Sequence, residues 1–388
     1  MKGMSILKIS NLDVIYRVTR YVVAHLQEQE FVAELNKYLR LIQNDIKKET
    51  IEIPRPLIDK IRGSLELYRK AGYFNLYALN NINLELEKGK IMACVGESGC
   101  GKSTLALSIL KILPGNAVAK GKIELDGKNI MGISEEEMRL LRATKIGYIG
   151  QGSYTYLNPL FTNAFQIIES AVVSSKESIE EAYNKFMRTI KEAQLDTRIL
   201  LSFPMRLSGG EIRRVAFALA LAKNPELLIC DEPFRNIDIF MAKQLAYVLK
   251  KMIEKFKTTA IIFTHNLSLM AEMAEKIAVM YHGTIMEMGD TIGIFKRPYH
   301  PYTKGLIGAL PDPRKPKKKI IYIPGEPIPK IVEPQFCPFF NRCPVADEEC
   351  MQKKPVQREF EGRIVACHKI EEVWDKDPVE FWGKHIGI

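Results

Sequence analysis

The spacing of apolar residues changes several times along this chain, and each change predicts a different element. In residues 5–17 the apolar positions Ile6, Leu7, Ile9, Leu12, Val14 and Ile15 predict one or two strands. From about Arg20 to Ile46 the period becomes helical, with Phe31, Leu35, Tyr38, Ile42 and Ile46 on one face and Val32 and Leu39 beside them. Pro54 and Pro56 interrupt it, and Leu57, Ile61, Leu65 and Tyr68 resume it. This reads as a helical hairpin inserted between strands at about residues 19–70. Strand patterning returns over Tyr77–Leu86, and the turn Glu87-Lys88-Gly89 leads into the apolar run Ile91–Val95. Gly121–Gly127 reads as a hairpin-like strand with an Asp-Gly turn, Glu135–Arg142 as a short acidic helix, and Lys145–Ile149 as a strand running toward Gln151. Residues 165–200 are mostly helical, with Ile179, Ala182, Phe186 and Ile190 at helical spacing. Two further apolar strands end in polar residues, Leu227–Asp231 and Ile261–Thr264. Past Pro298 proline density rises, and the chain changes character at Leu310-Pro311-Asp312-Pro313. The expected division is therefore one unit over residues 1–310 and a C-terminal extension over 311–388.

Between the strand Ile91–Val95 and the apolar segment Leu105–Leu110 lies Gly96-Glu97-Ser98-Gly99-Cys100-Gly101-Lys102-Ser103-Thr104. The strand, glycine turn and helix in this order match G-x-x-x-x-G-K-[ST], in which backbone N–H groups cradle phosphates, the lysine reaches the β/γ-phosphates and the hydroxyl holds Mg²⁺. Glycines allow close backbone approach, and the helix N-terminus adds positive potential. The strand ending at Asp231 places a carboxylate beside Mg²⁺, and Glu232 follows as a group able to orient or deprotonate a water. A second anion-binding helix start is Ser208-Gly209-Gly210-Glu211, which offers a hydroxyl, backbone N–H groups and a helix dipole, but no lysine.

Composition adds limits. The 388 residues are 46% hydrophobic and 26% charged, as in ordinary globular proteins. No uncharged apolar run approaches the ~18–20 residues that span a bilayer, and the start lacks a signal-peptide pattern, so a cytosolic chain is expected. The net charge of +10 is spread widely, and its densest run, Lys315 with Lys317–Lys319, lies between prolines and reads as a linker. A nucleic-acid-handling ATPase would need a basic face with interleaved aromatics or a long coiled coil, and neither pattern is present.

Taken together, the two phosphate-binding segments resemble the ATPase subunit of an ABC transporter. That resemblance implies an α/β phosphate-loop core with an antiparallel β subdomain and a helical signature subdomain. It implies that Ser208–Glu211 of one subunit closes on ATP held by a partner's phosphate loop, the partner being a homologous second ATPase. Gln151 resembles the glutamine that senses Mg²⁺, water and the membrane subunit; His265 resembles the histidine at the γ-phosphate, and Asp238 the aspartate of the loop crossing the dimer interface. Tyr73, or else Phe74 or Tyr77, would stack on adenine. Phe234-Arg235-Asn236-Ile237 and Asn266 depart from the family's usual residues without removing a catalytic group.

Of seven cysteines, Cys94, Cys100 and Cys230 lie in the nucleotide core, and Cys337, Cys343, Cys350 and Cys367 cluster in the extension. In a cytosolic chain such a cluster suggests a metal. The spacings lack the C-x2-C pairs of zinc ribbons, and four thiolates suit a [4Fe–4S] cluster, with zinc left open by spacing alone. His300-Pro301-Tyr302-Thr303, Pro324-Gly325-Glu326-Pro327, Cys337-Pro338-Phe339 and Arg342-Cys343-Pro344 are similar to the extension of oligopeptide/dipeptide permease ATPases, some of which carry a four-cysteine iron–sulfur site. What this resemblance implies is ATP-driven import of peptides, or alternatively of oligosaccharides, through two separate membrane permease subunits and a substrate-binding protein. The ATPase would lie peripherally on the cytoplasmic face of the membrane, with ATP, Mg²⁺ and a [4Fe–4S] cluster as its cofactors.

Overall fold

The computed structural model describes residues 4–19, 73–152, 157–173, 179–311, 320–328, 330–331 and 333–386. The helical hairpin expected at about 19–70 and the lysine run at 315–319 lie outside the described residues. In chain order the first part comprises β1 (Ser5–Thr19), β2 (Tyr73–Glu87), β3 (Ile91–Val95), α1 (Lys102–Ile109), β4 (Ala117–Leu125), β5 (Lys128–Asn129), α2 (Glu135–Thr144) and β6 (Ile146–Ile149). The helices α3 (Asn163–Val173), α4 (Ile179–Glu192), α5 (Thr197–Leu201) and α6 (Gly209–Leu221) follow, then β7 (Leu227–Asp231), α7 (Ile239–Phe256), β8 (Thr259–Thr264), α8 (Leu267–Met273), β9 (Lys276–Tyr281) and β10 (Thr284–Asp290). The chain continues through α9 (Thr291–Lys296), α10 (Pro301–Gly308), α11 (Glu348–Gln352), β11 (Arg358–Phe360), β12 (Arg363–Val365), α12 (Ile370–Val373) and α13 (Pro378–Ile386).

Two sheets result. The smaller is antiparallel, in the order β2-β1-β4-β5. The larger has eight strands in the order β11-β12-β10-β9-β3-β8-β7-β6. Its β9, β3, β8, β7 and β6 are parallel, whereas β10, β12 and β11 run antiparallel. Every residue of β3, β7 and β8 is buried, as expected for parallel strands covered on both faces. On one face, Met92, Cys94, Ile229, Phe263 and Met280 pack with α1 and the antiparallel sheet. On the other, Ala93, Val95, Leu228, Cys230 and Ile262 pack with α6, α7 and α8. The register places Val95 opposite Thr264, and Asp231 opposite Phe263. The loops after β3, β7 and β8 therefore leave the sheet side by side at its carboxyl edge, where open α/β sheets place ligands.

Residues beyond 310 pack into this same body. Ile321, Phe336, Phe339, Phe340 and Trp382 belong to the core that covers the helical face of the large sheet. The β11–β12 hairpin joins that sheet through β10, with Glu287 opposite Val365. Glu287 is fully buried, pairs with Arg363 at 3.3 Å and accepts from the N–H groups of Tyr299 and His300, both at 2.9 Å. The equally buried Lys304 donates to the carbonyls of Trp374 and Lys376, which close the turn before α13. Trp382 Nε1 donates to Pro301 O at 3.0 Å.

The iron–sulfur expectation is corrected here. Among the described residues, no group of three or more His, Cys, Asp or Glu side chains could hold a metal ion. All seven cysteines are free thiols. Cys337 and Cys350 are core residues joined through the backbone, Cys337 N to Cys350 O at 2.8 Å. Burial pushes the thiols of Cys337, Cys343, Cys350 and Cys367 up, Cys367 to about 12. Phe336, Phe339, Phe340 and Trp382 instead tie this region into the core by apolar packing.

Candidate functional site

Gly96 begins the loop after β3 and touches the neighbouring strand so closely that a Cβ would lie 2.1 Å from Met280 O. Gly101 caps α1 at φ 113°, a conformation open to glycine, and this turns the first N–H groups of the helix into the loop. Lys102 is 6% exposed, and its Nζ donates to Gly96 O at 2.8 Å and Glu97 O at 3.0 Å. The same ammonium lies 3.9 Å from Glu232 Oε1. The cation thus rests on loop carbonyls and one acid.

Asp231 closes β7 and is buried. Its Oδ1 has no protein partner among the described residues, and the Ser103 hydroxyl bonds to the carboxylate. Burial, with the nearby Glu232 charge, raises the Asp231 pKa against the opposing pull of Ser103 and Lys102. A buried carboxylate oxygen without a donor, beside a serine hydroxyl, is a donor set of the hard-oxygen type that suits Mg²⁺.

Glu232 takes a left-handed backbone conformation, φ 51°, which glutamate rarely adopts. Its N–H donates to Phe263 O at 2.8 Å, Thr264 Oγ1 donates to Oε2 at 3.2 Å, and His265 Nδ1 lies 3.0 Å from both carboxylate oxygens. The next strand therefore fixes both backbone and side chain. With Nδ1 turned to Glu232, His265 keeps Nε2 for another group, and its ring is half exposed. Such a carboxylate can orient a water and accept its proton.

The fold brings Lys102, Ser103, Asp231, Glu232 and His265 into one constellation. Glu97, Ser98, Gly99, Cys100 and Thr104 complete the loop and helix start around it. Gln151 is exposed just past the end of β6. Ser208, Gly209, Gly210 and Glu211 form a separate helix start. There Ser208 N donates to Glu211 Oε2 at 2.8 Å and the Ser208 hydroxyl accepts from Glu211 N at 3.4 Å. Arg198 pairs with Glu211 from outside. Asp238 caps α7, accepting from the N–H groups of Phe240 and Met241. The side chains of Tyr73 and Phe74 are outside the described residues. Tyr77 is half-buried on β2, where its N–H donates to Lys330 O at 2.8 Å.

Sequence reading missed three groups. Tyr16, on β1, brings its hydroxyl to 3.5 Å from Thr104 Oγ1, so this ring is held beside the first turn of α1. A tyrosine placed late in the first strand was the available signal. Tyr302 accepts from Glu97 N at 3.1 Å, and Arg342 pairs with the Glu97 carboxylate at 2.8 Å. Both lie in motifs recognised for another reason, and only the fold shows that they reach the loop.

Comparison with known proteins gives concordant matches. The family model described as ABC transporter matches residues 79–235, and that described as oligopeptide/dipeptide transporter, C-terminal region, matches residues 286–350. A probable peptide ABC transporter ATP-binding protein of Sinorhizobium fredii is 36% identical over 303 residues, which cover 76% of this chain and 90% of that relative. A di/tripeptide transport ATP-binding protein of Pseudomonas aeruginosa is 34% identical over 328 residues, covering 84% of this chain and 99% of the relative. Among solved structures, a dimeric ATP-binding cassette in a post-hydrolysis state with ADP and Pi matches at a TM-score of 0.50 and 28% identity, over 56% of this chain and 92% of that one. The cbiO1 protein of Clostridium perfringens matches at 0.51 and 27% identity, over 56% and 84%.

Proposed function

This chain belongs to the ATP-binding subunits of ABC transporters, in the oligopeptide/dipeptide branch, and from that premise we propose that it hydrolyses ATP at the carboxyl edge of β3, β8 and β7 to drive peptide import. The carrying observation is the meeting of Lys102, Asp231, Glu232 and His265, with Lys102 3.9 Å and His265 3.0 Å from the same glutamate. Lys102 exchanges its loop carbonyls for phosphate oxygens. Ser103 and Asp231, with Gln151 approaching from β6, would hold Mg²⁺, which when bound neutralises charge developing on the phosphates. Glu232 orients the attacking water and takes its proton as the terminal phosphoryl group leaves ADP. His265, oriented through Nδ1, steadies that phosphoryl group.

Tyr16 is the aromatic favoured for adenine, because its ring already lies at the start of α1. Ser208–Glu211 acts on ATP held by a homologous second subunit, and its capped, outward-facing helix start suits that task. Among the described residues no helix is long and apolar enough to cross a membrane. The membrane contact we assign is an exposed apolar stripe on and before α3, Phe161, Phe165, Ile168 and Val172. Recurrence at three- and four-residue intervals puts Phe165, Ile168 and Val172 on one helix face, with Phe161 stacked on Phe165, suited to permease subunits met from the cytoplasmic side. The C-terminal region from about residue 311 is read as a peptide-branch module that braces the phosphate loop. The oligosaccharide alternative is withdrawn, since the matched relatives are named for peptides or di- and tripeptides.

The test is reconstitution of the assembled importer in proteoliposomes. MgATP hydrolysis should rise severalfold when binding protein loaded with a short peptide is added. Stimulation by oligosaccharide alone would overturn the substrate, and an assembled complex without ATPase activity would overturn the reaction.

A further inference from the structure

The second residue of the phosphate loop is gripped from the C-terminal region. Arg342 Nη1 donates to Glu97 Oε2 at 2.8 Å and Nη2 to Oε1 at 3.2 Å, a two-pronged pair. Arg342 is itself buried and fixed. Its Nε donates to Pro324 O at 3.1 Å, Nη2 also donates to Ile323 O at 3.3 Å, and Nη1 donates to Tyr281 Oη at 3.3 Å. The rings of Tyr281 and Phe339 lie 5.6 and 5.9 Å from the guanidinium carbon. The guanidinium therefore cannot follow a moving partner. Glu97 is the half that could leave, being about one-third exposed where Arg342 is 5% exposed.

Glu97 also borders the groups that meet phosphate. Its carbonyl accepts from Lys102 Nζ at 3.0 Å, and its N–H is held by Tyr302 Oη. A carboxylate freed at this position would carry a negative charge next to the ammonium that has to receive phosphate, in a partly buried loop where charges act more strongly than in water.

We propose that Arg342 is a positioning residue for ATP binding: by clamping the Glu97 carboxylate it stops that charge from competing with nucleotide phosphates for Lys102. The inference rests on the ATP-binding reading of the same site. It makes the region beyond residue 310 a determinant of nucleotide affinity. A purely structural clamp would instead lower stability and leave affinity intact in molecules that remain folded.

The experiment measures equilibrium MgATP binding and thermal melting on the full chain. Arg342→Gln should raise Kd by about tenfold, with kcat at saturating MgATP nearly kept, because the competition acts on binding. Raising the salt should shrink the difference from wild type, as screening weakens the Glu97–Lys102 attraction. In the double variant Glu97→Gln/Arg342→Gln the competing charge is gone, so Kd should return toward wild type even if the melting temperature stays low. A double variant that binds as weakly as Arg342→Gln overturns the proposal, as does a folded Arg342→Gln with wild-type affinity. Should Arg342→Gln not fold, Arg342→Lys keeps the charge but loses the fork, and the same salt-dependent rise in Kd is expected; wild-type affinity in that variant would overturn the proposal. Wild-type protein that fails to bind MgATP would instead refute the underlying ATP-binding reading.

Discussion

Glu232 owes its placement to a backbone that glutamate does not choose freely, φ 51°, and to three bonds from β8 and its end: Phe263 O, Thr264 Oγ1 and His265 Nδ1. Conformations of this kind cost of order 1–3 kcal/mol and persist where the surroundings over-determine them. A glutamine at this position keeps the shape and one acceptor oxygen but cannot take a proton. Glu232→Gln should therefore lower single-turnover hydrolysis by about 10²–10⁴-fold while MgATP binding persists. Near-normal hydrolysis in that variant would exclude Glu232 as the base. Lys102→Ala should fail earlier, losing affinity in equilibrium binding before chemistry is reached. These residues were legible because each stands in or beside a local pattern, a glycine loop or the end of an apolar strand. Tyr16 and Arg342 were not, because they reach the loop across 88 and 245 residues of chain and no local period encodes such an approach.

At the scale of the element, α6 shows how a motif proposed to meet nucleotide doubles as a folding motif. Ser208 and Glu211 satisfy each other's N–H groups, a reciprocal cap at the helix start. The Ser208 backbone and hydroxyl, with Arg198, hold the Glu211 carboxyl down at about 2. A carboxyl whose folded pKa is depressed adds stability that is complete above its unfolded value, about 4.3, and is lost as pH falls through the folded value. Wild type should thus lose more stability than Glu211→Gln between about pH 4.5 and pH 2, measured by denaturant melts. Equal pH dependence would show that the cap carries no charge-linked stability. Ser208→Ala should cost about 1 kcal/mol at neutral pH. The S-x-x-E spacing is visible in the sequence, as are the helical spacing in α4 and the strands β3, β7 and β8. Sheet order was not visible, because β9 and β8 flank β3 through pairings separated by well over a hundred residues.

For the molecule as a whole, the region beyond residue 310 is tied in by buried charges as well as by apolar packing. Removing it would strip Arg363 from Glu287 and the carbonyls of Trp374 and Lys376 from Lys304, leaving each charged group short of a partner it has in the full chain. Breaking one buried pair costs about 3–5 kcal/mol, a large part of a typical domain's stability. A chain ending at 311 should therefore not give a cooperative melt. Trp382→Ala, which keeps the charges, should fold and lose about 3–5 kcal/mol in chemical denaturation. A cooperative melt from the shortened chain would show that the nucleotide unit stands alone. Proline density showed that the chain changes character near 310, but the packing partners of the residues after that point depend on tertiary pairing. The four cysteines misled for a related reason: spacing records which residues recur, whereas a metal site needs three or more ligands brought together by the fold, and no such group is found among the described residues.

The β11–β12 hairpin has one more consequence, for solubility. Without it β10 would be the last strand of a large sheet, with a row of backbone groups open to any other extended chain. The hairpin pairs with that row at Glu287 and Met288 and ends the sheet in a three-residue strand bearing the exposed Arg358 and Glu359. A short, charged margin is a poor template for another strand. Many copies of such a chain can be crowded together without joining edge to edge.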